Sequence, residues 1–266
     1  MGDYLKILLL GGDNRQIHLK NELEAAGHIV KHIYLSRDFE NDFSNFEVVV
    51  FPFPTTRDGY TLNNTFCDEK IYLSFLEEKL TNQKVLCGNY TFTNIQSIDY
   101  AKNDALAILN AVPTAEGAIA AAIDNTDFTL WKSKCLVVGF GRIGKILANR
   151  LIGLGAEVCV SARKESDFAF IKALNYKVSN TYELSKVVNE YDIIFNTVEH
   201  PVIDANVLKN CKKDCLLIEL ASAPFGIDFN AAERLSLRTI KAQGLPGKIA
   251  SQSAAKILSE TILKMI

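Results

Sequence analysis

The sequence predicts an α/β protein of two doubly wound parallel-sheet domains, with a cleft between them and a C-terminal helix that returns to the first domain. Three observations carry this expectation. Short apolar runs alternate with helical patterns between Lys6 and Cys87 and again between Lys134 and Ala242, the signature of βαβ units. A glycine motif, Gly139-Phe140-Gly141-Arg142-Ile143-Gly144, opens the second alternation. The chain has 266 residues, enough for two domains of roughly 100 to 150 residues each. The boundaries read as 1–112 and 113–249, with 250–266 belonging to the first domain.

Taken in order, Lys6 to Leu10 reads as a buried strand, turned by Gly11-Gly12-Asp13 into a helix over Arg15 to Ala26. Gly27 closes that helix, because the residue after a helix often takes left-handed angles that glycine adopts freely. His28 to Ile33 and Val48 to Phe51 follow as strands, then a helix from Asp68 to Leu80 and a strand from Val85 to Cys87. Ile98 to Ile123 is rich in Ala, Leu and Ile at helical spacing and is broken at Val112-Pro113, since a proline starts a helix or kinks one. Two helices are expected there, the second capped by Thr114 with Glu116 in its first turn, where the helix dipole favours a carboxylate. The second alternation gives strands at 134–138, 157–161, 192–196, 215–220 and 238–242, with helices at 142–154 and 168–174. In the tail, Ile257, Leu258, Thr261, Ile262 and Met265 share one helical face, so that helix must dock.

Composition narrows the function. With 48% hydrophobic and 23% charged residues the chain can bury a full core, which excludes disordered and fibrous classes. A formal charge of -2 leaves no field to hold a polyanion, so nucleic acid is not expected as a partner. No apolar run reaches the roughly 18 residues of a membrane span, and the opening residues lack the sections of a signal peptide, so a cytosolic protein without membrane contact is expected. Six cysteines are too few for a disulfide framework, and Cys211 with Cys215 lacks the further ligands of a zinc site, so no metal is expected.

The glycine motif is read by its context. It follows the strand Cys135-Leu136-Val137-Val138, opens a helix and precedes Gly155 and a second strand, which is the full setting of the Rossmann dinucleotide fingerprint. Gly139 supplies the tight turn, Gly141 lets backbone approach a pyrophosphate, and Gly144 lets helix and strand pack closely. Arg142 and Ile143 lie at the helix N-terminus that holds the anion. About 20 residues on, NAD proteins place an acid on the ribose hydroxyls. This chain has Ser161-Ala162-Arg163-Lys164 instead, so Ser161, Arg163 and Lys164 are expected to take the 2′-phosphate of NADP. Asn196-Thr197, Ala221-Ser222 and Gly244-Leu245-Pro246 end later strands and are expected to line the ribose and nicotinamide.

Together, Gly11-Gly12-Asp13-Asn14-Arg15-Gln16, Pro113-Thr114-Ala115-Glu116-Gly117, the glycine motif, Leu220-Ala221-Ser222 and Gly244-Leu245-Pro246-Gly247 resemble the A subunits of dipicolinate synthases over nearly the whole chain. One stretch departs from the family pattern: Ala250-Ser251-Gln252-Ser253-Ala254-Ala255 stands where Ala-Pro-Lys-Thr-Ala-Gly is expected. The resemblance implies a sporulation enzyme of the mother-cell cytosol that turns the dicarboxylate 4-hydroxy-tetrahydrodipicolinate into dipicolinate. It implies NADP as oxidant and, for partner, a flavoprotein-like B subunit; an oligomer is expected. For that chemistry Glu116 is the candidate base, with Thr114 orienting it or the substrate, while Arg15 and Arg57 are candidate carboxylate anchors in the first, substrate-binding domain. His18 falls within a helix and His200 in a turn before Pro201, and neither shows the partner a catalytic histidine needs. Two other readings share the cofactor site: a shikimate- or hydroxy-acid-type NADP dehydrogenase, and a noncatalytic NADP-binding redox sensor.

Overall fold

In the computed structural model, which describes residues 4–266, the chain forms two units, Met1–Asn110 with Pro246–Ile266, and Ala111–Leu245. The first begins with β1 (Lys6–Leu10), α1 (Asn14–Ala25), β2 (Ile29–Ile33) and β3 (Val48–Val50). It continues with α2 (Leu73–Glu78), β4 (Lys84–Cys87) and β5 (Ser97–Asp99). The strands pair in parallel in the order β2-β1-β3-β4-β5. Residues 7–10 and 48–50 are buried on both faces, which explains why these strands read as unbroken apolar runs rather than alternating ones. Strand order reverses between β1 and β3, and open α/β sheets bind ligands beside such a reversal, at the carboxyl ends of the strands.

The helix α3 (Asp104–Ile123) carries the chain from the first unit into the second. There follow β6 (Lys134–Val138), α4 (Arg142–Gly153), β7 (Glu157–Ala162), α5 (Glu165–Ala173), β8 (Lys177–Asn180) and β9 (Ile193–Asn196). The unit closes with α6 (Ala205–Leu208), β10 (Leu216–Glu219), α7 (Phe229–Arg234) and β11 (Arg238–Lys241). All six strands are parallel, in the order β11-β10-β9-β6-β7-β8, the arrangement of a dinucleotide-binding sheet with its reversal between β6 and β9. Two short helices end the chain, α8 (Leu245–Ile249) and α9 (Ser251–Ile262). The helix α9 returns to the first unit and packs on α1. There Ala255, Leu258 and Ile262 join Leu19 and Leu23 in one core, and burying each of the larger side chains is worth roughly 1.5 to 3 kcal/mol.

Three expectations are corrected. Residues 104–123 form one helix with Pro113 inside it, so Thr114 and Glu116 lie in the helix interior rather than at a helix start. Proline removes the bond to the carbonyl four residues back, but Ala115, Ala118, Ile119 and Ala122 are buried in the core of the second unit, and packing of that face outweighs the missing bond. The same helix is long and apolar enough to cross a membrane by length and composition, an 18-residue stretch of it having a mean hydropathy of 1.6. Asp104, Asn110 and Glu116 interrupt its apolar run, which hid that average in the sequence; its buried residues are spent on protein cores. Finally, α2 covers only part of the helix expected over 68–80, and β5 and β8 were not anticipated, being short strands without a strong apolar run.

Candidate functional site

The glycine motif folds as its spacing demands. Gly139 takes φ +103°, and a Cβ there would lie 2.5 Å from Thr197 Oγ1. A Cβ on Gly144 would lie 2.1 Å from the Gly139 carbonyl oxygen, so the first turn of α4 presses directly on the loop. Gly141, which precedes α4, has nothing within 4 Å of its would-be Cβ. That is a cradle at a helix N-terminus, open where a pyrophosphate would sit and closed on both flanks. Arg142 is exposed and Ile143 half-buried in the first turn.

At the end of β7 the acid position is Ala162, followed by Arg163 and Lys164, both exposed. Ser161 departs from expectation. Its hydroxyl is buried and bonded to Thr181 Oγ1 at 3.1 Å, because Ser161 lies within β7 whereas Arg163 lies past its end. The basic pair alone is available to a phosphate.

The other strand ends divide in the same way. Thr197 donates to the Val138 carbonyl at 2.9 Å and lies against Gly139, at the strand-order reversal. Asn196 is fully buried and donates to Glu219 Oε1 at 2.6 Å, so it supports the site from below. Sequence reading missed Glu219, a fully buried carboxylate that also accepts the backbone N–H groups of Ala221, Gly226 and Ile227 at 2.9 to 3.0 Å. These bonds fold the loop after β10 and leave Ser222 exposed. The signal was present as a lone acid inside Leu216-Leu217-Ile218-Glu219-Leu220. Gly244 is exposed at φ +68°, whereas Leu245 and Pro246 are buried.

In the first unit the loops leaving β1 and β3 meet at the reversal point. Asp13 caps α1 and takes Arg15 through both oxygens, Nε to Oδ1 at 2.9 Å and Nη2 to Oδ2 at 2.7 Å. Burial opposes ionisation of Asp13, but the hydrogen bonds and charge of Arg15 and the charge of Arg57 hold its carboxyl below the usual range. Arg15 Nη2 also donates to the Phe53 carbonyl. After β3, four consecutive carbonyls each accept a side-chain donor: Phe51 from Tyr100, Pro52 from Thr55, Phe53 from Arg15 and Pro54 from Asn63. The loop that ends in Arg57 is therefore fixed. Arg15 is buried and spent on protein partners, while Arg57 is exposed and bonded through Nε to Asn63 Oδ1 at 3.0 Å.

Comparison with known proteins decides the family. A family model described as the N-terminal domain of the dipicolinate synthase A subunit matches residues 6–110, and one described as D-isomer specific 2-hydroxyacid dehydrogenase, NAD binding domain, matches 114–240. The chain is 30% identical to the dipicolinate synthase A subunit of Bacillus subtilis (strain 168), over 98% of this chain and 96% of that protein. The chain belongs to the dipicolinate synthase A-subunit family. Two solved structures agree. The dipicolinate synthase A-subunit structure from Bacillus halodurans has a TM-score of 0.89 at 27% identity, over 98% of this chain and 97% of that one. That from Bacillus subtilis has 0.84 at 27% identity, over 100% and 96%. A Salmonella D-lactate dehydrogenase, at 13% identity and TM-score 0.66 over 98% of this chain and 96% of that one, shares the fold. This family member is accordingly a dehydrogenase-type oxidoreductase with a nicotinamide-dinucleotide domain.

Within this dipicolinate synthase family member, the expected base is placed differently from its expectation. Glu116 is exposed on α3 and paired with Arg150 at 3.1 Å, while Thr114 is buried. The helix-start setting in which the two residues were read together does not exist, because the helix runs straight through them.

Proposed function

We propose that this chain is the NADP-dependent oxidising component of a dipicolinate synthase, working with a B subunit in the mother-cell cytosol of a sporulating bacterium. Its substrate is the dicarboxylate 4-hydroxy-tetrahydrodipicolinate. Overall the ring loses one water, one hydride and one proton, and the aromatic dicarboxylate is left. When bound, NADP supplies the hydride acceptor. The chain's own residues bind and orient. Gly139, Gly141, Arg142, Ile143 and Gly144 hold the pyrophosphate at the start of α4, with Thr197, Ser222 and Gly244 at the neighbouring strand ends. Arg163 and Lys164 take the 2′-phosphate, and Arg57 takes a substrate carboxylate, for which a guanidinium offers paired donors.

The observation that carries the cofactor assignment is Ala162 followed by exposed Arg163 at the end of β7. A carboxylate there would repel the 2′-phosphate, whereas an arginine pairs with it. A charge-assisted contact of this kind is worth roughly 1.5 to 3 kcal/mol, or about ten- to a hundredfold in affinity. Titration of both cofactors tests the assignment: Arg163→Ala weakens NADP by that factor and leaves NAD near its wild-type affinity. Equal losses for NADP and NAD would remove Arg163 from the phosphate site.

A further inference from the structure

Asn63 belongs to no motif, yet it is the hub of the reversal point in the first unit. It is 6% exposed, and each of its four polar groups is bonded. Its carbonyl accepts from Gly12 N at 2.8 Å and its N–H donates to the Thr55 carbonyl at 2.8 Å. Its side-chain Nδ2 donates to the Pro54 carbonyl at 2.9 Å, and Oδ1 accepts from Arg57 Nε at 3.0 Å. The backbone carbonyl of Asn63 thus ties the loop after β1 to the loop after β3, while its side-chain amide braces the loop after β3 itself, between Pro54 and Arg57. A guanidinium has five N–H donors in a rigid plane, so holding Nε sets the plane and leaves the two-nitrogen edge to act as a fork. Among the described residues, neither Nη nitrogen of Arg57 has a hydrogen-bonded protein partner.

We propose that Asn63 is the positioning residue for Arg57, presenting its Nη edge to a substrate carboxylate at the reversal between β1 and β3. This rests on the reading of Arg57 as a carboxylate anchor. Holding an exposed, flexible side chain in its binding orientation lowers the entropy lost when the carboxylate arrives. Asn63 therefore contributes affinity without touching the ligand.

The test is a double-mutant cycle on NADPH-loaded protein, with dipicolinate affinity read by calorimetry and fold by thermal melting. Arg57→Ala is expected to weaken dipicolinate roughly ten- to a hundredfold, and Asn63→Ala roughly fivefold or more. The double variant is expected to bind no worse than Arg57→Ala alone, because Asn63 acts only through Arg57. NADPH affinity is unchanged throughout. If the two losses multiply, Asn63 acts by holding the loops and the proposal fails. Unchanged binding in Asn63→Ala beside a loss in Arg57→Ala also overturns it, with the anchor reading intact. Unchanged binding in Arg57→Ala overturns the anchor reading itself. Should Asn63→Ala not fold, Asn63→Ser, too short to reach Nε but still polar, carries the same cycle.

Discussion

Asp13 grips Arg15 through both carboxylate oxygens, and the pair is the seat of Gly247, whose would-be Cβ would lie 2.6 Å from Asp13 Oδ2 and 2.9 Å from Arg15 Nε. The ion pair is largely buried, with side-chain exposures of 18% for Asp13 and 9% for Arg15. Arginine here is a strut, since it also holds the Phe53 carbonyl.

That arrangement separates two arginines by what their loss does. Arg15→Ala leaves a buried carboxylate without its main partner, so it is expected to cost on the order of 3 kcal/mol of stability. Arg57→Ala, at an exposed position, is expected to cost about 0.5 kcal/mol or less while weakening substrate binding. Urea denaturation of both variants checks this. Equal stability losses would mean that the Asp13–Arg15 pair does not hold the loops as described.

The glycine motif makes a paired prediction. Gly144→Ala drives a methyl into the Gly139 carbonyl and is expected to lower the melting temperature and abolish dinucleotide binding. Gly141→Ala meets no protein atom within 4 Å and has φ −79°, which any residue adopts, so the variant is expected to melt like wild type. Its added methyl enters the space proposed for the pyrophosphate, and NADP affinity is expected to fall tenfold or more. Full NADP affinity in a folded Gly141→Ala protein would place the pyrophosphate elsewhere.

His32 gives a pH prediction. Burial pushes its imidazole below the ordinary value of 6.5, opposed by its bond to the Gly11 carbonyl at 2.7 Å and reinforced by the charge of Lys20. The unfolded chain then takes up a proton at higher pH than the folded one, so this contribution to stability is complete above about pH 6.5 and is lost as pH falls below it. His32→Gln, which keeps a donor for Gly11, is expected to show a shallower loss of stability between about pH 6.5 and 5 in denaturation curves. An unchanged slope would assign that dependence to other groups.

How far the sequence reaches is visible in particular residues. The fingerprint glycines and the parallel strands were legible because their geometry is set locally, by backbone angles and by runs buried on both faces. Pro113 misled, since local propensity argued for a break and only the packed alanines of α3 keep the helix whole. Ser161 misled for the opposite reason. A hydroxyl beside a basic pair looks like a phosphate ligand, and its partner Thr181 lies twenty residues away in sequence, at the end of the neighbouring strand. Asn63 and Glu219 act through irregular loops beside them, Asn63 on Pro54 and Arg57 and Glu219 on the N–H groups of Gly226 and Ile227, and no spacing rule records such bonds.

The proposed reaction of this chain is oxidation of a tetrahydrodipicolinate ring with NADP. The most direct measurement supplies fresh 4-hydroxy-tetrahydrodipicolinate, NADP and the B subunit, and follows NADPH absorbance and dipicolinate together, with this chain present and omitted. Equal amounts of NADPH and dipicolinate are expected, formed only when this chain is present and slowed in Arg163→Ala. Dipicolinate formed at the same rate without this chain, or without matching NADPH, would contradict the proposed reaction.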